Sequence, residues 1–258
     1  MSKHLEYVRS QLPINCTTIV KEIPASIVDE FYNRVTESII DYDWNNETID
    51  RELKMPNYLI GGFIDYYLRH EIAKTHNLEL RDFRTEQFNS DCPCYKKFKN
   101  KQANIKEIYV TSLSLQKAFG HSIRKCPRAY KAIPKGFHFN GLDEWAASMT
   151  GNDILLNPAV GSDILQIGAD TSLIVDDEII HFKFVKKRTK RNFMQVLIYA
   201  ACCKACFNEY INKVSLLYVR CGQKYTYTLN HQIIDDIYEL LLKSIPPQPS
   251  EDDEPTEQ

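Results

Sequence analysis

The sequence predicts an α/β (α+β) fold in which a small mixed sheet is flanked by helices. Two apolar, strand-like runs, at 170–175 and 178–185, surround an Asp-Asp turn. A helical pattern precedes them at 57–75, and another follows them at 191–209. Helices on both sides of a small sheet are typical of this fold class.

The segments before the sheet are predicted to be mainly helical. Apolar residues recur at helical spacing over 25–42, and Pro24 suits a helix start. Apolar and aromatic residues cover most faces of the 57–75 helix, so we expect it to be buried. The next apolar segment, 107–123, is compatible with one helix or with a strand and a helix. A short helix bracketed by glycines is predicted over 141–151.

Two strands and a helix are predicted after the second helical pattern. The strands cover 214–220 and 225–229 and are separated by a CGQK turn. The final helix covers about 232–242. These elements complete the predicted sheet and one of its helical layers.

The chain is expected to divide into three parts. Residues 1–50 form an N-terminal helical extension, 51–245 form one domain, and 246–258 form an acidic tail. The last eight residues contain five acidic residues and no basic one, whereas the whole chain has a net charge of −2. A segment of this composition is expected to be disordered.

Composition and segment hydropathy restrict the class of protein. Hydrophobic residues make up 43% of the 258 residues and charged residues 26%, which is ordinary for a globular protein. No apolar run approaches the roughly 20 residues of a membrane span. The N-terminus lacks the apolar stretch of a signal peptide, so a cytoplasmic location is expected.

The chain has eight cysteines, and without an export signal a disulfide framework is not expected. A zinc or iron–sulfur site is one alternative, since Cys203 and Cys206 have CxxC spacing and Cys92 and Cys94 lie close together. For Cys202, Cys203 and Cys206, which fall inside a helical pattern, the favoured alternative is that they are small buried apolar residues.

The predicted hairpin has one polar face. His181 and Lys183 share a face of the second strand because side chains alternate, and the intervening residues are apolar. Asp170 and Ser172 share a face of the first strand. If the hairpin pairs about its Asp-Asp turn, Ser172, His181 and Lys183 cluster and Asp170 lies one pleat away. Asp176 and Asp177, at the tip of the hairpin, are interpreted as residues that form the turn.

Five segments occur in an order that suggests a known family. They are LIGGFIDYYLRHEI (59–72), LLNPAV (155–160), GADTSLIVDDEIIHFKF (168–184), MQVLIYAA (194–201) and VSLLYVRCG (214–222). Together they resemble an uncharacterised bacterial or phage branch of the PD-(D/E)XK nuclease superfamily. Gln195 and Tyr199 correspond to the QxxxY helix of that branch. The resemblance implies a restriction-endonuclease-like core.

The resemblance also implies a site in which two carboxylates hold Mg²⁺ beside a lysine. Here Ser172 and His181 stand where carboxylates are expected, so the motif is degenerate. The candidate catalytic residues are Lys183, Asp170, His181, Ser172, Gln195 and Tyr199. The candidate metal ligands are Asp170, Asp65 and His181, with Mg²⁺ or Mn²⁺ as the ion. A site without any metal is the alternative.

Basic side chains near the hairpin and on the early segments are candidate phosphate contacts. They are Lys186, Lys187, Arg188, Lys190, Arg191, Arg69, Lys96 and Lys97. The leading hypothesis is a nuclease-fold protein with a degenerate site that binds nucleic acid, with DNA as the expected polymer, or acts as a subunit of a phage, defence or DNA-processing assembly. The alternatives are an active Mg²⁺- or Mn²⁺-dependent nuclease with a relocated carboxylate, and a scaffold that binds a protein partner.

Overall fold

The computed structural model describes residues 14–44, 46, 49–53, 55–80, 92–118, 131, 133–162, 165, 167–185 and 187–243. Its helices are α1 (Cys16–Glu22), α2 (Ala25–Tyr32), α3 (Ile49–Leu53), α4 (Asn57–Thr75), α5 (Pro93–Lys99), α6 (Ile105–Ala118), α7 (Leu142–Ser148), α8 (Lys190–Phe207) and α9 (His231–Lys243). Its strands are β1 (Ile14–Asn15), β2 (Thr36–Asp41), β3 (Ile154–Leu156), β4 (Ala159–Ser162), β5 (Ile167–Asp170), β6 (Leu173–Val175), β7 (Glu178–Lys183), β8 (Lys213–Tyr218) and β9 (Gln223–Thr228). The predicted α/β (α+β) class is confirmed.

The large sheet has six strands in the order β2-β9-β8-β7-β6-β3. Its neighbours are antiparallel except β7 and β8, which are parallel. Parallel neighbours need a crossover connection, and α8 lies between β7 and β8 in the chain. The sheet is therefore an antiparallel meander of β3, β6 and β7, extended through α8 to β8 and then β9.

Two apolar cores lie on the two faces of this sheet. Ile179 on β7 and Leu216 on β8 belong to the core that contains α1, α2, α8 and α9. Ile180 and Leu217, the next residue on each strand, belong to the core that contains α4, α6 and α7. Burial on both faces explains why these strands are almost continuously apolar. It also fixes which way the site residues of β7 face.

A small sheet, in the order β1-β5-β4, continues part of the large one. Leu156 pairs with Leu173 in the large sheet, and Ala159 pairs with Asp170 in the small sheet, so the antiparallel register is unbroken. Between the two pairs Asn157 has φ +48° and the next residue is a proline, which lacks an N–H. The ribbon therefore bends at this point and leaves the large sheet.

The prediction of a single strand over 170–175 is wrong, because the bend separates this segment into the end of β5 and all of β6. Asp170 ends β5 in the small sheet, whereas β6 begins at Leu173 in the large sheet. Thr171 and Ser172 connect the two strands, and their backbone groups bond to the opposite side of the bend: Thr171 N–H to Pro158 O at 3.3 Å, and Ser172 O to Asn157 N–H at 3.0 Å.

The helix predicted over 25–42 is also wrong in its second half. The helix ends at Tyr32, and β2 pairs with β9 along all six of its residues. The predicted N-terminal extension thus contributes a strand to the sheet that contains β7. Residues 1–13 and the predicted tail at 246–258 lie outside the described residues.

The other helices agree with the patterns that predicted them. The 57–75 helix is α4 with the same bounds, α8 and α9 lie within two residues of their predicted ends, and α7 ends three residues before its predicted end. The 107–123 segment is helical as far as Ala118, where its described part ends. Among the described residues, no helix combines the length and hydropathy needed to cross a membrane.

Candidate functional site

The candidate site lies between the C-terminal end of β7 and the first turns of α8. On β7 the residues alternate, so Ile180 and Phe182 face the α4 core and His181 and Lys183 face the other side. Thr189 caps α8 by accepting a hydrogen bond from the Asn192 N–H at 3.3 Å. This cap fixes where the helix begins, and hence which of its residues stand opposite the end of β7.

Lys183, Gln195 and Tyr199 form one hydrogen-bonded chain. The Lys183 Nζ donates to Gln195 Oε1 at 2.5 Å, and Gln195 Nε2 donates to the Tyr199 hydroxyl at 2.6 Å. Because an ammonium can only donate, its contact fixes the orientation of the Gln195 amide. The predicted helix face that pairs Gln195 with Tyr199 is confirmed. Their catalytic role stays a prediction.

Ser172 and His181 form a second pair across the hairpin. The Ser172 Oγ lies 3.2 Å from His181 Nδ1, and it also accepts the Phe182 N–H at 3.2 Å. The Tyr199 and His181 rings pack nearly perpendicular to each other, with centroids 5.3 Å apart. The predicted alignment of the polar faces is therefore confirmed for Ser172, His181 and Lys183.

Burial governs the protonation of this cluster. It lowers the pKa of Lys183 to about 8, and a weaker interaction with Cys16 opposes this shift. Burial also lowers the pKa of His181 well below its usual range, and the positive charges of Lys183 and Arg69 lower it further. At neutral pH the cluster therefore contains a neutral imidazole beside a largely protonated amine.

The described donors of this cluster do not fit a Mg²⁺ ion. Mg²⁺ prefers charged oxygen ligands, whereas Ser172 and His181 are neutral, bonded to each other, and close to the cations Lys183 and Arg69. Histidine suits Mn²⁺ or softer metals better. No group of three or more His, Cys, Asp or Glu side chains converges on a metal position within the described residues.

Asp65 and Asp170, the two carboxylates predicted to be metal ligands, lie on different elements, α4 and β5. Asp65 on α4 forms an ion pair with Arg69, one turn further along the same helix. Arg69 is buried and also lies over the Tyr66 ring, 5.1 Å from its centroid. The backbone of Asp170 lies in the small sheet, and its side chain is outside the described atoms. Of the three predicted metal ligands, Asp65 is thus paired with Arg69 and His181 with Ser172; their role as ligands stays a prediction.

The acids at the hairpin tip stabilise the turn, as predicted. Asp176 has φ +51°, and its Oδ1 accepts the N–H groups of Asn152 and Asp153 at 2.9 and 3.0 Å. The Oδ2 of Asp177 accepts the Asn212 side-chain amide at 2.7 Å. Both carboxylates hold neighbouring loops in place.

The basic run after β7 is largely bound to the N-terminal segment. Arg188 contacts Glu37 at 2.7 Å and the Tyr32 hydroxyl at 2.9 Å. Lys190 contacts Asp29 at 2.6 Å. These residues compensate charge within the fold, and the acids that pair with them were not foreseen, because they lie about 150 positions earlier in the chain.

The remaining basic candidates differ in how accessible they are. Arg191 donates to a backbone carbonyl of α1, and Lys97 contacts Glu107 at 2.5 Å. Lys187 and Lys96 are exposed. Lys186 is outside the described residues. Of the predicted phosphate contacts on the loop before α8, Lys187 is therefore the exposed one nearest to Lys183 in sequence.

Two of the three cysteines of α8 occupy the core, and the third, Cys206, is half-buried. Cys202 and Cys203 are fully buried, as the helical pattern predicted, and burial raises the pKa of both thiols. Cys16 on α1 reaches the same helix, with its Sγ 3.8 Å from the Gln195 carbonyl oxygen. Cys126 lies outside the described residues. Comparison with protein-family models and with curated proteins gave no match.

Proposed function

We propose that this chain is a nuclease-fold protein of the PD-(D/E)XK type whose active site is degenerate and which binds nucleic acid. The order of elements supports a restriction-endonuclease-like core: α4, an antiparallel meander of β3, β6 and β7, and a crossover helix that leads to β8, parallel to β7. The QxxxY helix that the resemblance implies is α8, the crossover itself.

The observation that carries the proposal is the pairing at the end of β7. The Lys183 amine donates to Gln195, which donates to Tyr199, while the two expected carboxylate positions hold Ser172 and His181, bonded to each other. Retaining the cation and replacing the acids leaves a local charge that attracts phosphate rather than a divalent metal.

The expected ligand is the phosphate backbone of DNA. At neutral pH Lys183 is largely protonated because its pKa is about 8. Lys187 is exposed four residues later. Two cations so close in sequence favour contact with successive phosphates. Contacts of this kind carry little sequence information, so binding is expected to depend on salt more than on base sequence.

The test is fluorescence anisotropy with labelled single-stranded DNA, its duplex and an RNA of the same sequence, over a series of salt concentrations. The variants are Lys183→Ala and Lys187→Ala. The matched control is Lys213→Ala, which removes an exposed lysine on β8. In the strand register Lys213 lies beside Glu178, at the end of β7 opposite to Lys183 and about 16 Å from it at ~3.3 Å per residue.

Wild type and Lys213→Ala should bind equally, with affinity that falls as salt rises. Each of the other two variants should weaken binding and reduce the logarithmic salt slope by about 0.7 to 0.9, the value for one phosphate contact. Equal binding by all four proteins refutes the assignment of these lysines. Cleavage in Mg²⁺ or Mn²⁺ that Lys183→Ala abolishes supports the active-nuclease alternative instead.

A further inference from the structure

Two cysteines flank the proline that begins α5, and the proposed nucleic-acid binding makes no use of them. Cys92, the residue before the helix, has an extended backbone with φ −70° and ψ 121°, and Pro93 is the first helical residue. The Cys94 thiol donates a hydrogen bond to the Cys92 sulfur, and both thiols are free. The turn into α5 therefore brings the two sulfur atoms into contact.

The backbone at this turn has the separation that a disulfide needs. With Pro93 in a helical conformation, the Cα atoms of its two neighbours lie ~5.5 Å apart, as the rise and radius of an α-helix dictate. Disulfides join Cα atoms that are about 4.4–6.8 Å apart. Because the proline ring also fixes φ, this separation is held by the side chain as well as by the helix. A bridge therefore does not require the two Cα atoms to move apart or together.

Exposure distinguishes this pair from the other closely spaced cysteines. Cys92 and Cys94 are both half-buried, and Pro93 between them is exposed. Cys203 and Cys206 have CxxC spacing, but Cys203 is completely buried in the core. Exchange between a thiol and a disulfide requires that the reagent reach a sulfur atom. Of these two pairs, the one at the start of α5 is therefore the accessible one.

The helix that carries the pair is anchored by other side chains. Tyr95 and Phe98 are buried, and the Phe98 ring packs against the Tyr66 ring of α4, with centroids 5.3 Å apart. These contacts lie after the two cysteines in the chain. A bridge between the cysteines therefore does not require α5 to leave its place against α4.

A zinc ion is the competing ligand for two thiols. A structural zinc site has four protein ligands, of which this pair would supply two. Glu107 is close enough to raise the pKa of Cys94, but its carboxylate is bonded to Lys97 at 2.5 Å. The described groups therefore favour a bond between the two sulfur atoms, and zinc becomes an outcome of the test.

We propose that Cys92 and Cys94 are a redox-active dithiol that a low-molecular-weight disulfide of the glutathione class converts into an intramolecular disulfide. The thiolate of one cysteine attacks a sulfur of the reagent, which forms a mixed disulfide and releases one reagent thiol. The thiolate of the second cysteine then attacks the protein sulfur of the mixed disulfide, and the second reagent thiol leaves. Two electrons and two protons pass from the protein to the reagent. The proposal is independent of nucleic-acid binding at Lys183.

The test measures zinc in the purified protein, removes metal with a chelator, and equilibrates the whole chain in buffers with a rising ratio of oxidised to reduced glutathione. Acid stops the exchange, free thiols are alkylated, and tryptic peptides are analysed by mass spectrometry. Peptide 85–96 contains Cys92, Cys94 and no other cysteine, so a bridge within it appears as the loss of two hydrogens. The variants are Cys92→Ser and Cys94→Ser. The matched control is Cys221→Ser, which removes a half-buried cysteine between β8 and β9, and circular dichroism verifies that all of them fold.

Wild type and Cys221→Ser should form the bridge at the same glutathione ratio. Cys92→Ser and Cys94→Ser should accumulate at least about tenfold more mixed disulfide than wild type, in which the second thiol displaces glutathione intramolecularly. A synthetic peptide 85–96 should need a ratio at least about tenfold more oxidising than the protein, because no fold holds its sulfur atoms in contact. A bridge that never forms in wild type, a mixed disulfide that persists there, or equal ratios for protein and peptide overturns the proposal. Stoichiometric zinc that Cys92→Ser and Cys94→Ser both lose also overturns it, because the pair then binds a metal.

Discussion

Replacing Lys183 with methionine should remove a titration that the fold imposes on this amine. Burial lowers the pKa of Lys183 from 10.5 to about 8. Between these values the unfolded chain binds more protons than the folded chain, so the stability of the wild type rises with pH. Below about pH 8 both states are protonated, and the cost of burying the charge is constant. Since one pH unit corresponds to about 1.4 kcal/mol, this cost is on the order of 3 kcal/mol.

The magnitude follows from the same two pKa values. Between about pH 7 and about pH 9.5, the wild type should gain about 2 kcal/mol of unfolding free energy relative to Lys183→Met. At about pH 7 the variant should be the more stable protein by about 1 kcal/mol, because the lost charge burial outweighs the Gln195 oxygen left without its donor, itself worth roughly 1–3 kcal/mol. Urea unfolding at both pH values, in the presence of a reductant, gives all four free energies.

Cysteines and tyrosines also titrate in alkaline solution, but both proteins contain them. Their contribution therefore cancels in the difference between the two unfolding free energies. The control is Lys187→Met, which removes an exposed lysine on the following loop and should match the wild type at both pH values. A wild-type-minus-variant difference that is the same at both pH values would refute the reasoning, since it would mean that folding does not perturb the Lys183 amine.

Three further predictions concern the turn, the N-terminal contact and the core. Asp176→Ala should lower stability by about 1–2 kcal/mol, because two backbone N–H groups lose their acceptor; Asp176→Asn, which tolerates positive φ and keeps an acceptor, should cost less, and equal costs in urea unfolding would contradict this account. Burial raises the pKa of Glu37, but its hydrogen bonds with Arg188 and a tyrosine lower it more. Glu37→Gln should therefore lower the free energy of unfolding by up to about 1 kcal/mol near neutral pH, and by almost nothing once the pH falls below the folded pKa. A loss of stability that persists in strong acid would argue against the ion pair. Cys202 and Cys203 should resist an aromatic disulfide reagent in the native protein and react after unfolding, because both thiols are buried; mass spectrometry that finds either one labelled in the native state would count against the packing of α8.

The parts of the fold that were predicted correctly have strong local patterns. Helix α4 is apolar around most of its circumference, and the β6–β7 hairpin has a two-residue polar turn between apolar runs. The contact of Lys183 with Gln195 was not predicted, but the shared face of Gln195 and Tyr199 follows from helical spacing alone. Short-range periodicity therefore accounts for most of the elements that build the site.

The errors have non-local causes. The 25–42 segment keeps helical spacing across the end of α2, and the pairing that turns 36–41 into a strand is made with β9, about 180 residues later. The break between Asp170 and Leu173 is set by the bend at Asn157, which lies on the opposite strand of the ribbon. The partners of Arg188 and Lys190 come from α2 and β2. No local pattern near any of these residues encodes its distant partner.

The pairing of β2 with β9 has a consequence for synthesis on the ribosome. Asp41 and Gln223, which are bonded across these two strands, are 182 residues apart. At ~5–20 residues per second, the ribosome needs roughly 10–40 s to make the chain between them. During that interval β2 is a nascent segment without its partner, and it contains two adjacent isoleucines. Because β9 supplies the hydrogen bonds on one side of β2, that side of the strand stays without its sheet partner until synthesis has passed residue 228.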